Sequence, residues 1–278
     1  MSTAKLKTHT VDAGGFPLQV DEAGNGLPVL VFLHYWGGSA RTWSSVIERI
    51  AGTVRCVAYD QRGWGRSGGP AKGYAISDLA TDLATVVSAL DLDDYVLVGH
   101  SMGGKVAQAA AAEHPGGLRG LALVAPAPAS PKTLPDEARA QMLSAYENRD
   151  SVIATLENVL SHKKLSDALR AQVVEDSLAG TTGAQRTWPT SAIAEDVSAN
   201  VGTIDVPVLI LAGEHDLVEP VEFLRETVAR QIPGAEFRVI KGIGHLVPLE
   251  GPEELTTELR AFIEGIGPSA SAGGPSFR

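Results

Sequence analysis

The chain has one cysteine, Cys56, in 278 residues. A single thiol forms no internal disulfide and no cysteine metal cluster, so nothing points to an oxidising compartment. Set in the apolar "VRCVAYD", it reads as a buried strand thiol. Basic charge is also short: 23 Lys and Arg face 33 Asp and Glu, a formal charge of -10. That deficit argues against nucleic acid or an anionic membrane as partner, because both select a basic surface. No apolar run approaches the ~20 residues that span a bilayer. The opening "MSTAKLKTHTVDAGG" lacks the apolar core of a signal peptide, and a cytoplasmic protein is expected. There is no H-E-x-x-H and no H-x-H-x-D-H run, so neither a metal nor another cofactor is expected.

What the sequence does contain is an alternation. The apolar, β-branched runs 27–34, 54–60, 94–100 and 206–213 read as buried strands, with 118–126 and 236–242 as further members. Helical segments separate most of them. Residues 76–92 place Ile76, Leu79, Leu83, Val86, Val87 and Leu90 on one stripe. Residues 103–115 and 221–233 also read as helices, each closed by proline. Such alternation predicts an α/β fold, a mostly parallel sheet flanked by helices, entered through an antiparallel hairpin over 5–26.

The alternation breaks between Pro126 and Val206, where three segments suit helices (134–148, 149–162 and 165–180) and none suits a strand. The expected organisation is a core of 1–126 and 206–266, a helical cap of 127–205, and a Gly/Ser/Pro-rich tail, 267–278, expected to be disordered. Met142, Leu143, Ile153, Leu156 and Leu160 alternate with charges in the cap, as in helices packed on one side.

The chemistry centres on "LVGHSMGGKVAQ", residues 97–108. Gly99–Gly103 fits G-x-S-x-G, and the strand before it and helix after it are the setting of a nucleophile elbow at Ser101. A serine hydroxyl is a weak nucleophile and needs a base. Of seven histidines, His245 stands on a Gly-rich turn after the last expected strand, at the sheet edge where open α/β sheets bind ligands. The orienting acid falls between serine and histidine in chain order. "LILAGEHDLVEP" offers Glu214, Asp216 and Glu219, and Asp216 is far enough past the strand to turn back toward His245. An oxyanion hole takes the N–H after the nucleophile, that of Met102, and a second from "LHYWGGSARTW", where Gly37 and Gly38 allow close backbone approach.

Together "LHYWGGSARTW", "YDQRGWGRSGGP", "LVGHSMGGKVA", "LAGEHDLVEP" and "IGHLVPLEGPEEL" resemble, in order and spacing, the serine-nucleophile α/β-hydrolase family, in its branch of small esterases, lactonases and perhydrolases. The resemblance covers nearly the whole chain. It implies a catalytic set of Ser101, Asp216 and His245, and Trp36 as the second oxyanion N–H. It implies cleavage of small-molecule carboxylic esters or lactones through an acyl-enzyme. Lactone opening, peroxide-dependent perhydrolysis, and a lyase or cofactor-free oxygenase reaction are the alternatives, with a ligand receptor on the same fold as the non-enzymatic one. Tyr35 stands where the family has glycine; it either contacts substrate or packs outward.

Other signals weigh less. "GWGRSG", 63–68, matches G-x-G-x-x-G with Asp82 beyond it, but Gly69 and Pro70 follow where a dinucleotide site needs a helix. Asp60, Arg62 and Ser67 are expected to build a structural loop there. His34 is read as a structural hydrogen-bonding residue. Trp188 either lines a substrate channel or packs. His162 with Lys163 and Lys164 reads as a solvated helix end.

Overall fold

The computed structural model describes residues 6–267, so that all but the first residue of the expected tail lies outside the described residues. Eight strands form one sheet in the order β1-β2-β4-β3-β5-β6-β7-β8. They are β1 (Lys7–Asp12), β2 (Pro17–Ala23), β3 (Val29–Leu33), β4 (Cys56–Tyr59), β5 (Tyr95–His100), β6 (Leu118–Val124), β7 (Val208–Gly213) and β8 (Glu236–Ile240). The first two form the expected hairpin, and β2 runs antiparallel to β4; all other pairings are parallel.

The sheet is covered on both faces because its strands are apolar on both. Along β3, Val29, Val31 and Leu33 enter one hydrophobic cluster, while Leu30 and Phe32 enter the other. This is the period of two that sends successive side chains to opposite faces. Helix α1 (Ser44–Ile50) covers the second face, whereas α2 (Ile76–Ala89) and α3 (Met102–Ala111) cover the first. Cys56 is fully buried on the second face, and burial pushes its thiol up to about 12.

Four helices fall between β6 and β7: α4 (Asp136–Ser144), α5 (Arg149–Thr155), α6 (Asp167–Leu178) and α7 (Thr182–Thr190). The predicted segments 134–148, 149–162 and 165–180 correspond to the first three, with a π turn over Leu156–Leu160 extending α5. Helix α7 was not expected. Its Pro189 has no N–H to give Gln185 O, four residues back, and that carbonyl accepts instead from the Trp36 indole N–H at 3.2 Å. The chain enters and leaves this insertion side by side: Val197 N–H donates to Ala129 O at 2.9 Å and Lys132 N–H to Ile193 O at 3.2 Å. Fully buried Lys105 of α3 donates to the carbonyls of Ser130 (3.4 Å) and Ile193 (2.9 Å), one on each side of the join. Burial pushes its ammonium down to about 8.

After β7 come α8 (Val221–Leu224), then β8, α9 (Val247–Glu250) and α10 (Pro252–Ile266), the last packing Leu255, Leu259 and Phe262 on the second face. No helix among the described residues is long and apolar enough to cross a membrane.

Candidate active site

Strand β5 ends at His100 and α3 begins at Met102, leaving Ser101 alone on the turn with φ 53° and ψ -114°. That left-handed backbone is costly for a residue with a side chain, and it persists here because neighbours on every side fix it. Ser101 N–H donates to Val124 O, and its carbonyl accepts from the N–H groups of Gly104, Lys105 and Ala127. The flanking glycines are steric necessities. A Cβ at Gly99 would lie 2.5 Å from Gly103 O, and one at Gly103 would lie 2.6 Å from Leu33 O.

The loops after β7 and β8 carry the expected acid and base, Asp216 and His245. His245 Nδ1 lies 2.8 Å from Asp216 Oδ2, with both side chains buried. The other Asp216 oxygen accepts from the N–H groups of Val218 (2.7 Å) and Glu219 (2.9 Å). Burial pushes the Asp216 carboxyl up, but His245 and those two N–H groups outweigh it and hold it below its ordinary value. A carboxylate so placed makes His245 Nδ1 the protonated nitrogen and leaves Nε2 free to accept a proton. The histidine loop is braced independently. Glu250 accepts from Gly244 N–H and Leu246 N–H, Leu160 O accepts from His245 N–H, and His100 Nε2 donates to His245 O at 2.8 Å. Burial pushes the His100 imidazole down to about 3, so this brace is neutral.

The loop after β3 carries the second expected oxyanion donor. His34 Nε2 accepts from Gln61 N–H at 3.0 Å, which puts its proton on Nδ1, 2.7 Å from Tyr35 O. Gly38 N–H donates to the same oxygen at 3.0 Å. In a trans peptide the N–H points opposite the carbonyl. Fixing Tyr35 O therefore aims the Trp36 N–H, and His34 has the structural role read for it. Neither Trp36 N–H nor Met102 N–H donates to another backbone group among the described residues.

Ser101, His245, Tyr35, Trp36 and Trp188 all line one cavity of about 340 Å³. Tyr35 turns inward and is buried, its ring over Gly38 and 5.3 Å from that of His100, which corrects the outward alternative. Met142 and Leu160 line the same cavity, whereas Leu143, Ile153 and Leu156 do not. Trp188 also touches a smaller void beside Trp64, Tyr74 and Met102.

Sequence reasoning missed an ion pair in the cavity wall, between half-buried Lys132 and buried Glu219. Lys132 Nζ lies 2.8 Å from Glu219 Oε1 and 2.8 Å from Val218 O. Burial pushes the Glu219 carboxyl up to about 7 despite Lys132. It also missed Tyr146 and Ser177, which reach the Trp36 loop. No local signal marks either, since their partners are over a hundred residues away in the chain. Of the lesser candidates, Asp60 and Ser67 bond within the 60–67 loop, and Arg62 pairs with Asp82 at 2.5 Å. Residues 61–75 form turns rather than a helix, and Asp82 is thereby committed to Arg62. His162 stacks on His215 at 3.9 Å, away from the cavity.

Residues 28–252 match the model of a family described as the alpha/beta hydrolase fold. The chain is 29% identical to an AB hydrolase superfamily protein of Bacillus subtilis, over 88% of this chain and 94% of that one. It is 31% identical to the non-heme chloroperoxidase of Streptomyces lividans, over 86% and 92% respectively. Among solved structures, an esterase from Exiguobacterium antarcticum superposes with a TM-score of 0.85 at 25% identity, covering 93% of this chain and all of that one.

Proposed function

The chain belongs to the α/β-hydrolase family, and from that premise we propose that it is a serine hydrolase acting on carboxylic esters or lactones. The observation that carries the reading is the 2.8 Å His245–Asp216 hydrogen bond, opening on the same cavity as a strained Ser101. In the proposed mechanism His245 Nε2 takes the Ser101 proton as the hydroxyl oxygen attacks the carbonyl carbon. The N–H groups of Trp36 and Met102 receive the charge that develops on the carbonyl oxygen. Collapse expels the alcohol with the proton from His245 and leaves an acyl-serine. Water, deprotonated by His245, then releases the acid.

The cavity wall supports uncharged substrates. Leu134, Ala138, Met142, Ala145, Val159 and Leu160 supply apolar surface, and the one charged pair, Lys132 and Glu219, is neutralised internally. Each acyl methylene buried there contributes up to ~0.8 kcal/mol, so short to medium acyl chains are favoured over acetyl. A second reading, perhydrolysis, rests on the chloroperoxidase relative: hydrogen peroxide in place of water would release a peracid from the same acyl-serine.

The test is a panel of linear esters, lactones and amides of increasing acyl length, with and without peroxide, in wild type, Ser101→Ala and Tyr35→Phe. A fluorophosphonate should label wild type once, at Ser101, and Ser101→Ala should lose nearly all turnover. Turnover of Ser101→Ala at the wild-type rate would end the serine reading. A flat chain-length profile would remove the apolar pocket. Lactone turnover weakened selectively in Tyr35→Phe would favour lactones.

A further inference from the structure

Behind the Trp36 loop stand side chains that belong to the inserted segment rather than to the sheet. Tyr146, just past α4, donates its hydroxyl to Trp36 O at 2.8 Å and lays its ring 4.2 Å from the Trp36 ring, centroid to centroid. Ser177 of α6 donates to the next carbonyl, Gly37 O, at 3.0 Å. The Trp36 indole N–H reaches Gln185 O of α7 at 3.2 Å. Helix α6 is itself tied to the same loop, since Arg41 lies 2.6 Å from buried Asp176. Both hydroxyl-bearing residues are buried, Ser177 completely.

We propose that Tyr146, supported by Ser177, is a positioning residue for the oxyanion hole, so that the inserted helices set the rate of the chemistry as well as roofing the cavity. The proposal rests on the reading of Trp36 N–H as an oxyanion donor. That N–H belongs to the peptide joining residues 35 and 36, whose carbonyl is held from the sheet side by His34 and Gly38. The next peptide, joining 36 and 37, leads into Gly37 at φ +92°, a backbone with no side chain to stiffen it. Its carbonyl is held by Tyr146 alone among the described side chains. Without the hydroxyl, a buried carbonyl is left unpaired and is relieved by rotation of that peptide. Rotation at Trp36 then loosens the N–H beside it. A donor that is fixed in advance costs no reorganisation when charge appears on the substrate oxygen; a loosened one does.

Tyr146→Phe keeps the ring on Trp36 and removes one oxygen. We expect kcat to fall roughly tenfold, less than the ~100- to 1,000-fold cost of deleting an oxyanion donor outright. KM should stay within about twofold of wild type, as should the Kd of an unreacted ester measured in the Ser101→Ala background. Labelling by a fluorophosphonate, whose phosphoryl oxygen needs the same donors, should slow in proportion to kcat. Ser177→Ala should show the same pattern at smaller size. A wild-type kcat in Tyr146→Phe, a loss carried by KM and Kd, or an undiminished labelling rate would each overturn the proposal. Failure of the serine reading is separately visible, as absence of labelling at Ser101 in the wild type.

Discussion

The two halves of the proposed active site, the acid–base side and the oxyanion side, are held differently. On the acid–base side, Asp216 is fixed by N–H groups two and three residues on, and the His245 loop by a carboxylate five residues on. The inserted segment braces that side mostly through its backbone: Leu160 O accepts from His245 N–H, and the N–H groups of His162 and Lys163 donate to Glu250. Its Lys132 side chain holds Val218 O and Glu219 rather than Asp216 or His245. On the oxyanion side the inserted segment reaches in with side chains, Tyr146 and Ser177, each more than a hundred residues from its partner. Asp216 and His245 therefore take no side-chain hydrogen bond from the inserted segment, whereas the Trp36 loop depends on which side chains that segment carries.

Asp216→Asn and then Gly37→Ala sharpen that contrast, in falling order of effect, with Glu219→Gln as the control for the first. Asp216→Asn should lower kcat on the order of 10⁴-fold, because an amide in place of the carboxylate favours the wrong imidazole tautomer. Glu219→Gln, read in the same assay, should stay within a few-fold of wild type. If the two results are exchanged, Glu219 is the acid. On the oxyanion side, Gly37→Ala places a Cβ 2.5 Å from the Tyr146 ring at a residue with φ +92°. The loop and the helices must then separate, and kcat should drop about 100-fold with the circular dichroism of the fold retained. A near-normal kcat there would show that the oxyanion loop does not need its seat on Tyr146.

The smallest effect concerns stability and distinguishes Glu219 from its neighbour. Its folded carboxyl, pushed up to about 7 from the ordinary 4.5, holds its proton where the unfolded carboxyl has lost it. The native state then binds more protons than the unfolded one, so this group's stabilisation is complete below pH 4.5 and is lost as pH rises to about 7. Relative to Glu219→Gln, wild type should lose stability over that window by up to ~3 kcal/mol, read from urea unfolding at several pH values. A pH-independent difference would place the Glu219 titration elsewhere. Asp216 acts in the opposite sense, since its lowered pKa stabilises the fold above the ordinary carboxylate range and ceases to as pH falls.

The same contrast explains what could be read from sequence. Ser101, Asp216 and His245 each sit on a short stretch where strand end, turn and helix start are contiguous, so their placement follows from local pattern. Tyr35 announced itself as a departure but not its direction; the space over Gly38 and beside His100 decides that it turns inward. Tyr146 and Ser177 carry no local mark, because what gives them a role is the approach of two distant segments. Lys105 was hidden for another reason. A lysine in an alanine-rich helix reads as exposed, and its burial is made tolerable by the two carbonyls at the join and the nearby carboxylates of Glu195, Asp196 and Glu219.

That join has a consequence for protein engineering. Where the chain leaves the sheet after β6 and returns before β7, it passes Lys105 twice, and the two passages hydrogen-bond to each other. An insert whose ends are adjacent is a natural unit for grafting: a foreign helical segment could be spliced between about 130 and 193 without moving the strands. Such a graft would not change selectivity alone. Unless the donor segment brought hydroxyls to the positions of Tyr146 and Ser177, the chimera would inherit a new pocket and a slower catalyst together, and screening it only for binding would miss the loss.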